Sequence, residues 1–205
     1  MNKKTTLIIE FILLFLLFPI TLTIIGNQFL PFLLLPLIGI FYYFKEKSLV
    51  KKFKSEFEFK KVKGYINNLL LQTIIVFILL FIFMNIFYKE SLFSLQKENP
   101  LFLVGIFFIY SIISVLPQTF MYRFIFEKKF SQIFTSEKTK TTTAVLTFAF
   151  AHIIFLNIIS ILFTLIAGYL FYTTYRKTES FWISYIQHVL LGYLVFFIGL
   201  GNEFI

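Results

Sequence analysis

The chain contains no cysteine and no aspartate. The first absence excludes a disulfide framework, thiolate catalysis and Cys-ligated zinc, and leaves the redox compartment open. The second confines any carboxylate chemistry to ten glutamates. Histidine is almost as scarce. His152 and His188 are the only two, and each lies inside a long apolar run, where a titratable ring is costly unless a partner or a purpose holds it. Charge is sparse as well, at 14% of 205 residues, against 59% hydrophobic and 21% aromatic residues. A water-soluble core of ordinary size cannot cover that much apolar surface.

What is present in excess is apolar bulk, 32 phenylalanines included, read here as lipid-facing and packing material rather than as an aromatic site. Stretches near the roughly 20 residues that a bilayer core demands run from Thr6 to Ile25, Phe29 to Phe44, Ile66 to Tyr88 and Leu101 to Phe126. They continue from Thr141 to Leu156, Ile158 to Tyr175 and Phe181 to Leu200, with the fifth and sixth joined by a tight turn at Asn157. The start Met-Asn-Lys-Lys resembles a secretion signal, but its apolar run is too long and no small-residue cleavage site follows, so it reads as an uncleaved first span. With the N-terminus inside, every basic residue except Lys89 and Lys97 falls on the cytoplasmic side, as the positive-inside rule requires. The expectation is an all-α, polytopic transmembrane helix bundle of about seven spans with a cytoplasmic N-terminus. An eighth span or a re-entrant piece would return the C-terminus inside. Residues 1–205 form a single integral membrane domain, expected in a bacterial plasma membrane.

The net charge of +9 does not indicate nucleic acid, because the lysines lie between hydrophobic spans instead of on one folded face. The longest loop, Lys45 to Lys63, sets Val50, Phe53 and Phe57 at helical spacing among lysines. Two readings stay open for it: an amphipathic helix on anionic headgroups, or a solvated basic loop.

Three polar residues agree in depth. Counted from the cytoplasmic span ends at about 1.5 Å per residue, Gln118 lies roughly 12 Å in, His152 roughly 16 Å and His188 roughly 11 Å. Independent buried polar residues have no reason to share a layer, whereas a single site requires it. Gln118 and Tyr122, Thr119 and Arg123, Phe148 and His152, and His188 and Gly192 are i,i+4 pairs, each on one helix face. Pro117 predicts a kink beside Gln118. Gly192 and the Ala167-Gly168 pair read as close helix packing, with Gly192 also removing bulk beneath His188.

The motifs Gln118-Thr119-Phe120-Met121-Tyr122-Arg123, Phe148-Ala149-Phe150-Ala151-His152 and His188-Val189-Leu190-Leu191-Gly192 stand in order on separate spans. In order and spacing they resemble the CPBP family, the CAAX-protease and bacteriocin-processing group of intramembrane endopeptidases. Its pattern is Glu-Glu-x-x-x-Arg, Phe-x-x-x-His and His-x-x-x-Asn or Asp. The approach Thr178-Glu179-Ser180-Phe181-Trp182 also fits, and the resemblance covers residues 101–205. It implies cleavage of membrane-associated or lipidated peptides entering from the cytoplasmic side. In that scheme the first Glu and first His activate a water, and the last His and Asn steady the oxyanion.

The chain departs from the pattern at Gln118 and Thr119, which stand where the two glutamates would be, and at Gly192, which stands where the Asn would be. Only Arg123, His152 and His188 carry over. An amide orients a water but cannot take its proton, so His152 becomes the candidate base. No cofactor is implied. His152 and His188 supply two of the three ligands that a catalytic zinc requires, so a divalent metal is only a weak candidate. Glu10, the one acid within a span, and Glu127, at i,i+4 from Arg123, are candidate partners for that cation, or else both reach the interface and do no chemistry. Three functions follow: an endopeptidase with altered chemistry, a non-catalytic relative that binds a peptide or membrane partner in an immunity or scaffold role, and a small transporter using the two histidines as a relay.

Overall fold

In a computed structural model, residues 2–56 and 59–201 are described. They form helices connected by short turns, with no strand among the described residues. The helices are α1 (Lys3–Ile25), α2 (Leu30–Lys45), α3 (Lys47–Ser55), α4 (Phe59–Phe87), α5 (Ser94–Glu98) and α6 (Pro100–Ile133). After them come α7 (Glu137–Phe150, extended by a 3₁₀ turn to Phe155), α8 (Ile158–Thr178) and α9 (Phe181–Phe197). The described parts of α1, α4, α6 and α8 are each long and apolar enough to cross a membrane, and α2 and α9 are shorter apolar helices.

Polar residues mark the boundaries. Asn99 caps α6 by accepting from the Phe102 amide at 3.3 Å, with Pro100 in the first turn, where its missing N–H costs nothing. Ser136 accepts from the Thr139 amide at 3.0 Å at the start of α7. The turn expected at Asn157 is there: Leu156 is left-handed, and the Asn157 side chain accepts from Ile159 at 2.8 Å to start α8. Gly26, at φ 71°, ends α1 in the left-handed conformation that glycine adopts without strain.

Helix α6 is not uniform. Wide π turns run over Tyr110–Val115 and Phe120–Phe130, with the α-helical turn Leu116–Thr119 between them. Pro117 sits in that turn. Its ring removes one backbone donor and crowds the carbonyl four residues back, and the wide turns on either side absorb the mismatch.

The two ends of the bundle differ. One end carries an ion-pair network joining five helices and the two residues that flank α3. Glu10 of α1 bonds Lys129 of α6 at 2.7 Å and lies 3.6 Å from Lys45 of α2, and Glu46 also pairs with Lys129. Glu56, just past α3, holds Lys128 at 2.8 Å and accepts from the Tyr175 hydroxyl at 2.9 Å. Glu127 accepts from Tyr172 at 2.5 Å, and Arg176 of α8 pairs with Glu137 of α7. Beneath this network Phe15, Phe124, Phe126, Phe130, Phe171 and Phe181 pack into a buried aromatic layer.

Of the two readings of the basic loop, α3 bears out the helix, and its apolar stripe packs on the bundle. Leu49 is buried, and the Phe53 ring packs 4.9 to 5.2 Å from the rings of Phe181, Phe124 and Phe120. The apolar stripe faces the bundle, and Lys51, Lys52 and Lys54 face outward. Phe57 lies outside the described residues.

A candidate site in a cavity between the helices

A cavity of about 760 Å³ opens between α1, α2, α4, α6, α7, α8 and α9. It runs from the α1–α2 turn at Gln28 and Phe29 to the middle of the bundle and stops short of the ion-paired end. Gln118, His152, His188 and Gly192 all line it, so three helices deliver their polar residues to one space. Thr119 and Arg123 lie behind the wall, both fully buried.

The chemistry at each position follows from its partners. His152 Nδ1 lies 2.8 Å from the Phe148 carbonyl. A carbonyl only accepts, so Nδ1 carries the hydrogen and the lone pair of the neutral ring is on Nε2. His188 Nδ1 is 3.4 Å from the Thr119 hydroxyl, which fixes the ring through a polar neighbour on α6. Gln118 donates through Nε2 to the Ser114 hydroxyl at 2.8 Å, and its Oε1 is buried without a partner among the described residues. The amide nitrogen is therefore committed along its own helix, and the oxygen is not.

Phe148 is the hub of the site. Its ring lies 4.9 Å from His152, 5.6 Å from His188 and 5.6 Å from Tyr122, and the Arg123 guanidinium sits 4.0 Å over its face. Arg123 also stacks on Phe171 at 4.9 Å, and His188 packs against the same ring at 4.4 Å. Gly168 admits this arrangement, because a Cβ there would sit 3.0 Å from the Phe148 ring, which accounts for the Ala167-Gly168 pair as packing.

The candidate partners for Arg123 do not reach it. Glu10 is taken by Lys129 and Lys45, and Glu127 by Tyr172 and Arg176. Both acids belong to the charged end, as the second sequence reading allows, and neither terminal nitrogen of Arg123 has a hydrogen-bond partner among the described residues. Among the described residues no acidic side chain lines the cavity. Among the described residues no group of three or more His, Asp or Glu side chains gathers, so His152 and His188 find no third ligand.

Two residues that the motifs do not include join the site. Tyr110 and Ser114 precede Gln118 by eight and four positions on α6, and all three, with Tyr122, line the cavity. The four-residue spacing was a visible signal, but only the cavity shows which face of α6 matters. Comparison of the chain with protein-family models, curated proteins and solved structures finds no match.

Proposed function

We propose that the chain is an intramembrane endopeptidase of the CAAX-protease type. In this reading it has about seven spans, a cytoplasmic N-terminus, and a membrane-associated or lipidated peptide as substrate. The observation that carries it is His152, whose tautomer is fixed by Phe148 on the wall of a cavity shared with Gln118 and His188. A water beside Nε2 gives up a proton to the imidazole as its oxygen bonds to the peptide carbonyl carbon. His152 then returns that proton to the amide nitrogen as the carbon–nitrogen bond breaks. The substrate reaches the site laterally, through the apolar wall, because the ion-paired end is filled by the aromatic layer and by α3.

A second reading is a non-catalytic peptide-binding relative with an immunity or scaffold role. It is favoured by the lack of an acidic side chain on the cavity wall among the described residues, since losing a general base typically costs about 10² to 10⁴ in rate. The test is cleavage of a membrane-peptide library by purified protein in lipid discs, beside His152→Ala and the pair Gln118→Glu with Thr119→Glu. Native cleavage that His152→Ala abolishes supports the endopeptidase. Native silence, with cleavage gained by the double substitution, supports the binding protein. If the library is neither cut nor bound, both readings fail.

A further inference from the structure

Gly192 and Tyr110 occupy one space. A Cβ built on Gly192 would overlap the Tyr110 hydroxyl and lie 2.8 Å from the ring carbon that carries it. Any larger residue at position 192 must push that hydroxyl away. Gly192 is thus a seat for the phenol as well as a gap beneath His188.

The seated hydroxyl has no hydrogen-bond partner among the described residues. Tyr110 packs edge-on to His188 at 6.4 Å and against Phe196 at 5.2 Å, and its hydroxyl makes no hydrogen bond among the described residues. Two tyrosines near it do find one: Tyr185 donates to the Ser111 carbonyl and Tyr193 to the Leu103 carbonyl, each at 3.2 Å. A phenol on an apolar cavity wall loses its hydration and gains nothing in return unless a ligand accepts from it.

We infer that Tyr110, seated by Gly192, is the donor that meets the oxyanion formed from the carbonyl oxygen of the bound peptide, on the His188 side of the cavity. The inference rests on the proposed reading of the cavity as a peptide site. It also supplies that site with a donor, where the motifs alone leave position 192 without one. A neutral donor held in place by packing strengthens its bond as charge develops on the oxygen it faces, so its effect is larger on a tetrahedral oxyanion than on a ground-state amide.

The test compares two probes bound to the full-length protein in lipid discs: an apolar membrane peptide, and the same peptide with one amide replaced by a phosphinate. Tyr110→Phe keeps the ring and removes only the hydroxyl. It is expected to weaken the phosphinate about 10- to 100-fold and to leave the parent peptide within about twofold. Gly192→Ala, which displaces the hydroxyl, is expected to do the same. The swap Tyr110→Ala with Gly192→Asn is expected to restore part of the loss, because it puts a donor back in that space. The inference is overturned if Tyr110→Phe weakens both probes equally or neither, or if Gly192→Ala leaves phosphinate binding intact. If the native protein binds neither probe, the peptide-site reading itself fails and the inference falls with it.

Discussion

Replacing Arg123 with methionine is expected to make the protein more stable, against the usual outcome of removing a buried arginine. The side chain is 1% exposed, and among the described residues both terminal guanidinium nitrogens lack a hydrogen-bond partner. Leaving a buried donor unmade costs about 1–3 kcal/mol, and more when the group is charged. Against this stands the stacking on Phe148 and Phe171, worth about 2 kcal/mol where desolvated. Methionine keeps most of the stem's packing and brings no charge, and replacing buried ionic groups with apolar ones of similar volume is commonly neutral to stabilising by about 1–4 kcal/mol. The net expectation is a gain in that range. Arg123→Lys is expected to lose stability, because an ammonium neither stacks nor spreads its charge over two rings. Unfolding midpoints of native, Arg123→Met and Arg123→Lys proteins in the same lipid discs decide the matter. A loss of about 3 kcal/mol or more on Arg123→Met is the signature of breaking a real buried ion pair, and would refute the placement of Arg123 without one.

Three further outcomes follow from the fold. Phe53→Ala is expected to cost about 3 kcal/mol of stability, because its ring packs on three others. A change in vesicle binding with no change in unfolding would instead put α3 on headgroups. Burial pushes the Glu56 carboxyl above its ordinary 4.5, outweighing the downward pull of Lys128 and Tyr175. The folded state then holds this proton more tightly than the unfolded chain, so the stability from this group is fully present below about 4.5 and is lost as pH rises through the folded value. The stability of the native protein relative to Glu56→Gln should therefore improve on acidification toward that range, and a flat difference across a pH series would contradict it. Gly168→Leu is expected to destabilise by about 1–3 kcal/mol, measured by the same unfolding assay, because the Phe148 ring comes within 3.0 Å of where its Cβ would be and leaves no room for the rest of the side chain.

Helix positions were legible because hydropathy and caps agree. Asn157 and Ser180 cap helices at the ends of apolar runs, and the run expected from Phe181 becomes α9. The third run, expected from Ile66, belongs to a helix that starts at Phe59, because hydropathy reports the apolar part of a helix and not its length. That Gln118, His152 and His188 face one space was also legible, since helical rise converts position into height. Lateral contacts were not. Glu10 lies far from Lys129 in sequence, and nothing in its local pattern selects that partner over Arg123. The stripe of Leu49 and Phe53 has the same periodicity whether it meets lipid or protein. Tyr110 is one tyrosine among eleven until the chain brings Gly192 against it.

The sorting of charge along the bundle explains why imidazoles are left to do any chemistry. Glu10, Glu46, Glu56, Glu127 and Glu137 are all bound at one end to lysine, arginine or tyrosine, where each carboxylate is held by a partner. Moving one of them to the cavity would break that partnership and bury an anion among apolar side chains, a cost of several kcal/mol. The middle layer instead holds groups that can be neutral, an amide, hydroxyls and two imidazoles, with Arg123 as the exception. In such a layer a neutral base needs no counterion, and a neutral donor such as Tyr110 adds no charge to desolvate. The unpartnered guanidinium behind that layer marks where an acid one helical turn away, at Thr119, would fit electrostatically. Introducing Glu there should therefore be tolerated only while Arg123 remains, and Thr119→Glu combined with Arg123→Met should be less stable than either change alone predicts.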